Sequence, residues 1–355
     1  MPAANKQSLL YIGSLDPRSN SYRRFEALAN LVGRIQGVNT DPYLMAKFLS
    51  SFQHYFNVGI GIHLLNMNIR KIFAGNSADI VWIDNKAYLS KRTLQFIKKV
   101  SPQTIIVNLL TDDPFGQFRN AWKNIAENAP FYDHFFVQRP QNIDELTAIG
   151  AKNVGLCYRS FAPDYNRPIT LNAADRQKYS TTVGFIGTYE DSRASFIAYL
   201  IQNDIPVTVT GDGWPNKDYW ELIAPYYRGP SVYGEAYIKS INGMEIALHF
   251  LRKGNRDLQD SRTFEIPACR VFMLAEYSEV HAALFEENKE AVFFRTKEEL
   301  LQKVIYYKSE SARRAAIAEA GYQRCFISGY DHYHTLQRVL KTINKEDSEN
   351  HNING

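Results

Sequence analysis

Short apolar runs rich in β-branched residues alternate along this chain with longer segments whose apolar positions recur at helical spacing. That alternation predicts strands joined by helices in parallel sheets. Residues 8–13 (SLLYIG), 78–83 (ADIVWI), 104–109 (TIIVNL) and 135–138 read as strands. A helix is expected over 22–33, after a Pro/Ser/Asn loop, and another over 91–100, where Leu94 and Ile97 lie opposite basic residues. Residues 159–180 are polar and carry Pro163 and Pro168, so the periodicity breaks there and an interdomain linker is expected, at 166–180. A second series then starts. Its strands are 182–187 (TVGFIG), 206–210 (PVTVT), 246–250 (IALHF), 270–274 and 291–294; its helices are 193–203, 236–242, 262–269, 279–287 and 297–308. The pattern predicts an α/β protein of two doubly wound domains, 1–165 and 181–330, followed by a helix over 331–344. Ligands would sit in a cleft at the carboxyl ends of the strands.

Length supports two domains, since 355 residues exceed the usual reach of one hydrophobic core. The polar stretch 345–355 reads as a disordered tail. No apolar run approaches the ~20 residues needed to cross a bilayer, and no leader pattern opens the chain, so a cytoplasmic protein is expected. Cys157, Cys269 and Cys325 are scattered and lack metal-binding spacing. Charge is uneven: residues 1–170 carry 19 Lys and Arg against 12 Asp and Glu, while the remainder is mildly acidic. A basic half suits an anionic membrane surface or acceptor as well as a solvated helix surface. Its dispersed cations, with no recognition motif, argue against nucleic acid.

Three segments follow strands and could carry chemistry. Gly184-Phe-Ile-Gly187-Thr-Tyr-Glu-Asp-Ser-Arg193 joins a strand to a helix through a glycine, a place where backbone N–H groups can meet phosphate or where Gly187 merely permits a turn. Thr210-Gly211-Asp-Gly-Trp214 permits close approach of a ligand, and Trp214 could cover a base or be buried. The loop Arg252-Lys-Gly-Asn-Arg256-Asp257 precedes a helix that Ser261 can N-cap, and Arg256 or Arg262 could hold a diphosphate bidentately.

Taken with "FMLAE" and "HAALFEENKEAVFF", the run "SRTFEIPAC" resembles the glycosyltransferases related to the spore-maturation protein CgeB. So do "VGFIGTYEDSR", "GDGW", "RGPSVYGEAYIKSINGMEIALHF" and "AEAGYQR", and in the first half "ADIVWID", "TDDP" and "YDHFFV". The resemblance covers nearly the whole chain. It implies the GT-B architecture, two Rossmann-like domains facing a cleft, with a nucleotide-sugar donor on the second and a glycan, lipid-linked or protein acceptor on the first.

By that resemblance Glu265 is expected to hold the donor ribose, and Asp257, or Asp260 in its place, to face the donor sugar. Gly187, Arg193, Gly211, Trp214, His249, Arg256, Arg262 and Thr263 complete the expected donor site. Arg270 replaces the glycine that usually ends this helix in related transferases; it would cap the helix by charge or reach the donor. His249 stands where Asn is usual. Gly13, Ser14 and Asn20 follow the opening strand, another place where phosphate is met. Asp112 and Asp113 end a strand; adjacent aspartates lack metal-binding spacing, so the expected role is general base or helix cap, with no metal. His332 and His334 are read as structural. The acidic pair favours retention of anomeric configuration; an inverting enzyme would use Asp112 or Asp113. An epimerase of the same fold and a catalytically silent sugar- or partner-binding protein are the alternatives.

Overall fold

The computed structural model describes residues 5–44, 57–86, 88–117 and 119–353. The chain divides into two compact units, one built from Met1–Tyr158, Gly254–Arg256 and His332–Gly355, the other from Arg159–Lys253 and Asp257–Asp331.

In the first unit, six parallel strands stand in the order β2-β1-β3-β4-β5-β6, with β1 Asn5–Gly13, β2 Val32–Asn39, β3 Ile80–Asp84, β4 Ile105–Leu110, β5 His134–Val137 and β6 Asn153–Leu156. The helices α1 (Asn20–Ala29), α2 (Asp41–Leu44), α3 (Ile60–Gly75), α4 (Lys91–Val100), α5 (Lys123–Asn128) and α6 (Gln141–Ala148) connect them. Successive side chains of a strand face opposite ways, so each strand feeds two cores. Leu10, Ile12, Val81, Ile83 and Phe135 pack on Leu65, Ile69, Leu94 and Ile97 of α3 and α4. Leu9, Tyr11, Ile80, Trp82 and Phe136 pack on Leu28 of α1 and on Leu336, Val339, Leu340 and Ile343 of the C-terminal helix.

The second unit orders its parallel strands β8-β7-β9-β10-β11, with β7 Thr181–Ile186, β8 Thr208–Thr210, β9 Met244–His249, β10 Met273–Glu276 and β11 Val292–Phe294. Its helices are α7 (Ala173–Tyr179), α8 (Asp191–Gln202), α9 (Trp220–Ile223), α10 (Glu235–Asn242), α11 (Ser261–Ala268), α12 (Glu279–Leu284), α13 (Lys297–Ser309) and α14 (Ser311–Ile327). The order turns back between β7 and β9, which makes the carboxyl ends of those two strands a topological switch point.

Three expectations change. The stretch read as linker contains α7, whose N-cap Asn172 accepts from Asp175 N at 2.8 Å. The C-terminal helix, His332–Ile353, runs through most of the segment expected to be disordered, because polar composition alone does not end a helix and no Gly or Pro interrupts it; residues 354 and 355 lie outside the described residues. The opening helix is shorter than expected, since the chain has entered β2 by Val32. Among the described residues no helix is long and apolar enough to cross a membrane.

Candidate functional site

The second unit concentrates charge at the carboxyl ends of β7, β9 and β10. Arg193, in the first turn of α8, is 5% exposed and spans the switch point: its Nη1 donates to Thr188 O at 3.0 Å, just past β7, and its Nη2 to Phe250 O at 3.3 Å, just past β9. Its Nε is buried without a hydrogen-bond partner, 3.9 Å from Glu190. Burial pulls the Arg193 guanidinium below its ordinary range; Glu190 works the other way, and nearby Arg262 adds to the depression. Glu190 also accepts from Arg252 Nε at 3.1 Å and Lys253 N at 3.3 Å. Glu276, ending β10, accepts from Leu251 N at 3.0 Å and from the Lys253 ammonium.

His249 is fully buried at the end of β9. Its Nε2 lies 3.0 Å from Asp260 Oδ1, and its Nδ1 has no hydrogen-bond partner. Asp260, not Ser261, caps α11: its carboxylate accepts from Arg262 N at 2.7 Å, and its own N–H donates to Thr263 Oγ1 at 3.1 Å, closing a capping box. Burial pushes the Asp260 carboxyl up, but His249, Arg262 and Arg193 outweigh it and hold the group well below the usual range. Thr263 Oγ1 meets His281 Nε2 at 2.9 Å, and His281 Nδ1 lies 2.8 Å from Glu276 O. A carbonyl can only accept, so Nδ1 carries the proton and Nε2 accepts from the threonine. Burial pulls the His281 pKa down to about 3, so the ring is neutral at pH 7.

Glu265 is 4% exposed on α11 and accepts from the Tyr237 hydroxyl of α10. Burial and the Glu265 charge raise the Tyr237 phenol well above its ordinary range. Arg262 is partly exposed, its Nη1 3.4 Å from Asp260 Oδ2. Burial works against its charge, but Tyr237, Asp260 and Glu265 outweigh that and raise it. Arg262, Glu265 and Tyr237 therefore form one neighbourhood, a cation beside a buried carboxylate.

The other expected donor residues go elsewhere. Gly187 N–H already donates to Thr210 O at 2.9 Å, so that donor is not available to a phosphate. Gly211 has φ +153°, and a Cβ there would stand 1.9 Å from Gly187 O; the glycine serves packing between two loops. Trp214 is 1% exposed, donates from Nε1 to Gly187 O at 2.9 Å and meets Phe185 edge-on, so it is core and covers no base. Thr263 is fully buried, with its hydroxyl engaged in the capping box. Arg270 adopts φ +56° and turns its guanidinium onto Tyr322, 4.5 Å away, and Glu319 at 2.9 Å, neither capping α11 nor reaching Glu265. Asp257 is buried, its N–H donating to Arg252 O at 3.1 Å, where an exposed loop acid was the alternative.

Arg256 belongs to the first unit. Its Nε and Nη2 grip Asp113 at 2.5 and 2.9 Å, and its Nη1 and Nη2 each reach Glu145 at 2.8 Å. Asp113 is 2% exposed and also accepts from Phe115 N and Asn142 Nδ2, each at 2.9 Å. Burial would raise its carboxyl, but Arg256 and these donors hold it below the usual range. A carboxylate so engaged is a poor base, and a guanidinium held by two carboxylates is a poor diphosphate ligand. Asp112 is half-buried and accepts from Asn85 Nδ2 at 2.9 Å. The first unit's own switch point is filled: Arg24 pairs with Asp84 at 2.7 Å through two bonds, and a Cβ on Gly13 would meet Ser21 Oγ at 2.7 Å. Ser14 bonds Asp41 at 2.7 Å. His332 is buried.

Glu190, Tyr237 and Glu276 had not been singled out. Glu276 closes the run "FMLAE", and a charged residue ending an apolar strand is the signal that could have found it.

Residues 193–341 match a family model described as glycosyl transferase-like. No curated protein matches the chain. Solved structures similar to it include sucrose-phosphate synthase from Thermosynechococcus elongatus, at 10% identity and TM-score 0.66, covering 97% of this chain and 100% of that one. A glycosyltransferase from Rickettsia africae gives 14% identity and TM-score 0.62, covering 98% and 100%. Anabaena HepE in complex with UDP-glucose gives 11% identity and TM-score 0.59, covering 96% and 100%. At such identities the likeness speaks to the fold alone: each unit is Rossmann-like, and the chain has the GT-B fold.

Proposed function

We propose that this protein transfers a sugar from a nucleotide diphosphate to a hydroxyl acceptor, and that its donor is held by the second unit. The reading rests on one coincidence: the stretch matching the glycosyl transferase-like model, 193–341, contains Arg193, His249, Asp260, Arg262 and Glu265, the residues gathered at the strand ends. The complex of the similar Anabaena protein with UDP-glucose supports a uridine nucleotide as the first donor to try.

Each group has a chemical task in this reading. Glu265, which already accepts from the Tyr237 hydroxyl, is the group that accepts from the ribose hydroxyls, since a carboxylate can accept two hydrogen bonds from a vicinal diol. Arg262 offsets the negative charge that grows on the departing diphosphate. Arg193 fixes the two loops at the switch point, and Asp260 with His249 fixes Arg262. A guanidinium can offset that charge without a divalent cation, so transfer is expected to persist in EDTA. Transfer is expected to retain the anomeric configuration, to be read by NMR from the anomer first formed. An inverting outcome would transfer attention to Asp112 as base.

Thermal shifts with UDP, GDP and dTDP test the core of the proposal. A ligand at 100 times its Kd stabilises the native state by about 2.7 kcal/mol, so at least one nucleotide should raise Tm. No shift with any of them would overturn the reading. Sugar released or epimerised without acceptor would favour the epimerase over the transferase.

A further inference from the structure

The second unit contains a cavity of about 330 Å³ away from the charged strand ends, lined by Lys178, Tyr179, Thr208, Arg228, Ser240 and Met244 among others. Its size falls at the lower end of small-molecule pockets, roughly 300–1,000 Å³. It lies beside Thr181 and Met244, which open β7 and β9, and along the whole of β8 from Thr208 to Thr210. Gly184 makes part of the room. A Cβ there would come within 2.8 Å of Met244 Cγ, so the methionine side chain lies across a bare stretch of β7 and gives the cavity an apolar floor. Val232 and Ala236 extend that apolar surface.

The polar lining is one-sided. Lys178 and Arg228 both line the cavity, and none of its lining residues is acidic. Arg228 is held in place by backbone carbonyls alone, donating from Nη1 to Lys178 O at 3.0 Å and from Nη2 to Ser180 O at 2.9 Å. The guanidinium is thus oriented but not neutralised. Arg228 is an exposed residue whose guanidinium is partly desolvated, and that pulls its pKa below the ordinary value. Lys178, also exposed, has its ammonium 5.1 Å from the Tyr179 ring, a weak contact that leaves it able to meet an anion. Three of the lining hydroxyls are engaged internally: Thr181 with Thr208 at 2.7 Å, and Ser240 with Ala236 O at 2.8 Å. With two cations and no acid in its lining, the cavity favours negative charge over an apolar surface.

We propose that this cavity is a second small-molecule site, distinct from the strand-end site, for an amphipathic anion: a phosphate or carboxylate held by Arg228 and Lys178, with a short apolar body against Met244 and Val232. The two charges and the methionine floor fit both parts of such a ligand at once; inorganic phosphate would satisfy only the first.

Saturation-transfer NMR and calorimetry with phenyl phosphate, phenylacetate, benzyl alcohol and inorganic phosphate test it on the full chain. Phenyl phosphate or phenylacetate should bind saturably with a roughly millimolar or lower Kd, and more tightly than benzyl alcohol or inorganic phosphate. Arg228→Gln should weaken that binding about tenfold or more, the worth of a hydrogen bond to a charged group. Ser240→Leu, which fills the cavity from α10, should abolish it, with circular dichroism and Tm verifying that both variants are folded. Wild-type affinity in both variants, no saturable binding by either anion, or benzyl alcohol binding as tightly as the anions would each overturn the proposal. If Ser240→Leu does not fold, Arg228→Gln alone still decides, because an exposed arginine bonded only to carbonyls is removable without loss of the core.

Discussion

At the scale of single residues, partners decide role more firmly than residue type does. Glu265 and Asp113 are both nearly buried acids, yet one faces a tyrosine hydroxyl beside a partly exposed arginine and the other is saturated by Arg256, Asn142 and a backbone N–H. Glu265→Ala should therefore weaken UDP binding by about tenfold or more, as the loss of a charged hydrogen bond implies, while leaving far-UV circular dichroism unchanged; calorimetry is the measurement. Asp113→Ala should leave UDP affinity unchanged and cost about 1–3 kcal/mol in urea unfolding, a figure discounted because Arg256 is partly solvated and retains Glu145. Sequence could offer Glu265 because its motif is local. It could not separate Arg256 from Arg262, six positions apart, since their difference lies in contacts made with residues more than a hundred positions away. The glycines misled for a related reason. Gly211 is required because the Gly187 backbone passes within reach of it, and Gly187 because the Phe185 ring fills the place of a Cβ; from sequence both look the same as making room for a phosphate.

Among the elements, the buried strands and both edge strands of the second sheet were legible, while the edge strands of the first sheet and the helices over 60–75, 141–148 and 311–327 were not. The helix expected over 91–100 coincides with α4, which Ser90 caps by accepting from Thr93 N, and whose Leu94 and Ile97 are fully buried. β2 escaped notice because an edge strand is half solvated: Gly33, Arg34 and Gln36 interrupt any apolar run. β6, at the other edge, is short and nowhere fully buried. β10 was expected three residues early, since Val271 and Phe272 are buried and apolar without being strand. The start of α11 was misread by one residue, and the consequence is measurable. Asp260→Ala should cost about 1 kcal/mol for the lost cap, plus more for leaving His249 without its acceptor, whereas Ser261→Ala should be nearly neutral; paired urea melts would separate the two.

For the molecule as a whole, one buried ring sets a pH dependence. The His281 pKa falls to about 3 in the folded protein, against about 6.5 in an unfolded chain. Between those values the unfolded state binds the proton and the native state does not, so stability rises with pH. The contribution is fully present above about pH 6.5 and is lost progressively as pH falls toward 3. From pH 6.5 to 5 it amounts to about 2 kcal/mol. Chemical denaturation at those two pH values should show His281→Gln losing that much less than the wild type; equal losses would remove His281 as the cause.

Neither unit is one unbroken length of polypeptide, and this bears on any attempt to express them apart. A gene fragment ending at Tyr158 would lack the four apolar side chains, Leu336, Val339, Leu340 and Ile343, that cover one face of its sheet, and the guanidinium that neutralises Asp113. Such a fragment should be recovered aggregated, and a synthetic peptide of residues 332–353 supplied during refolding should rescue part of it. Workers wishing to dissect this protein would do better to close a loop or permute its ends than to cut it in half.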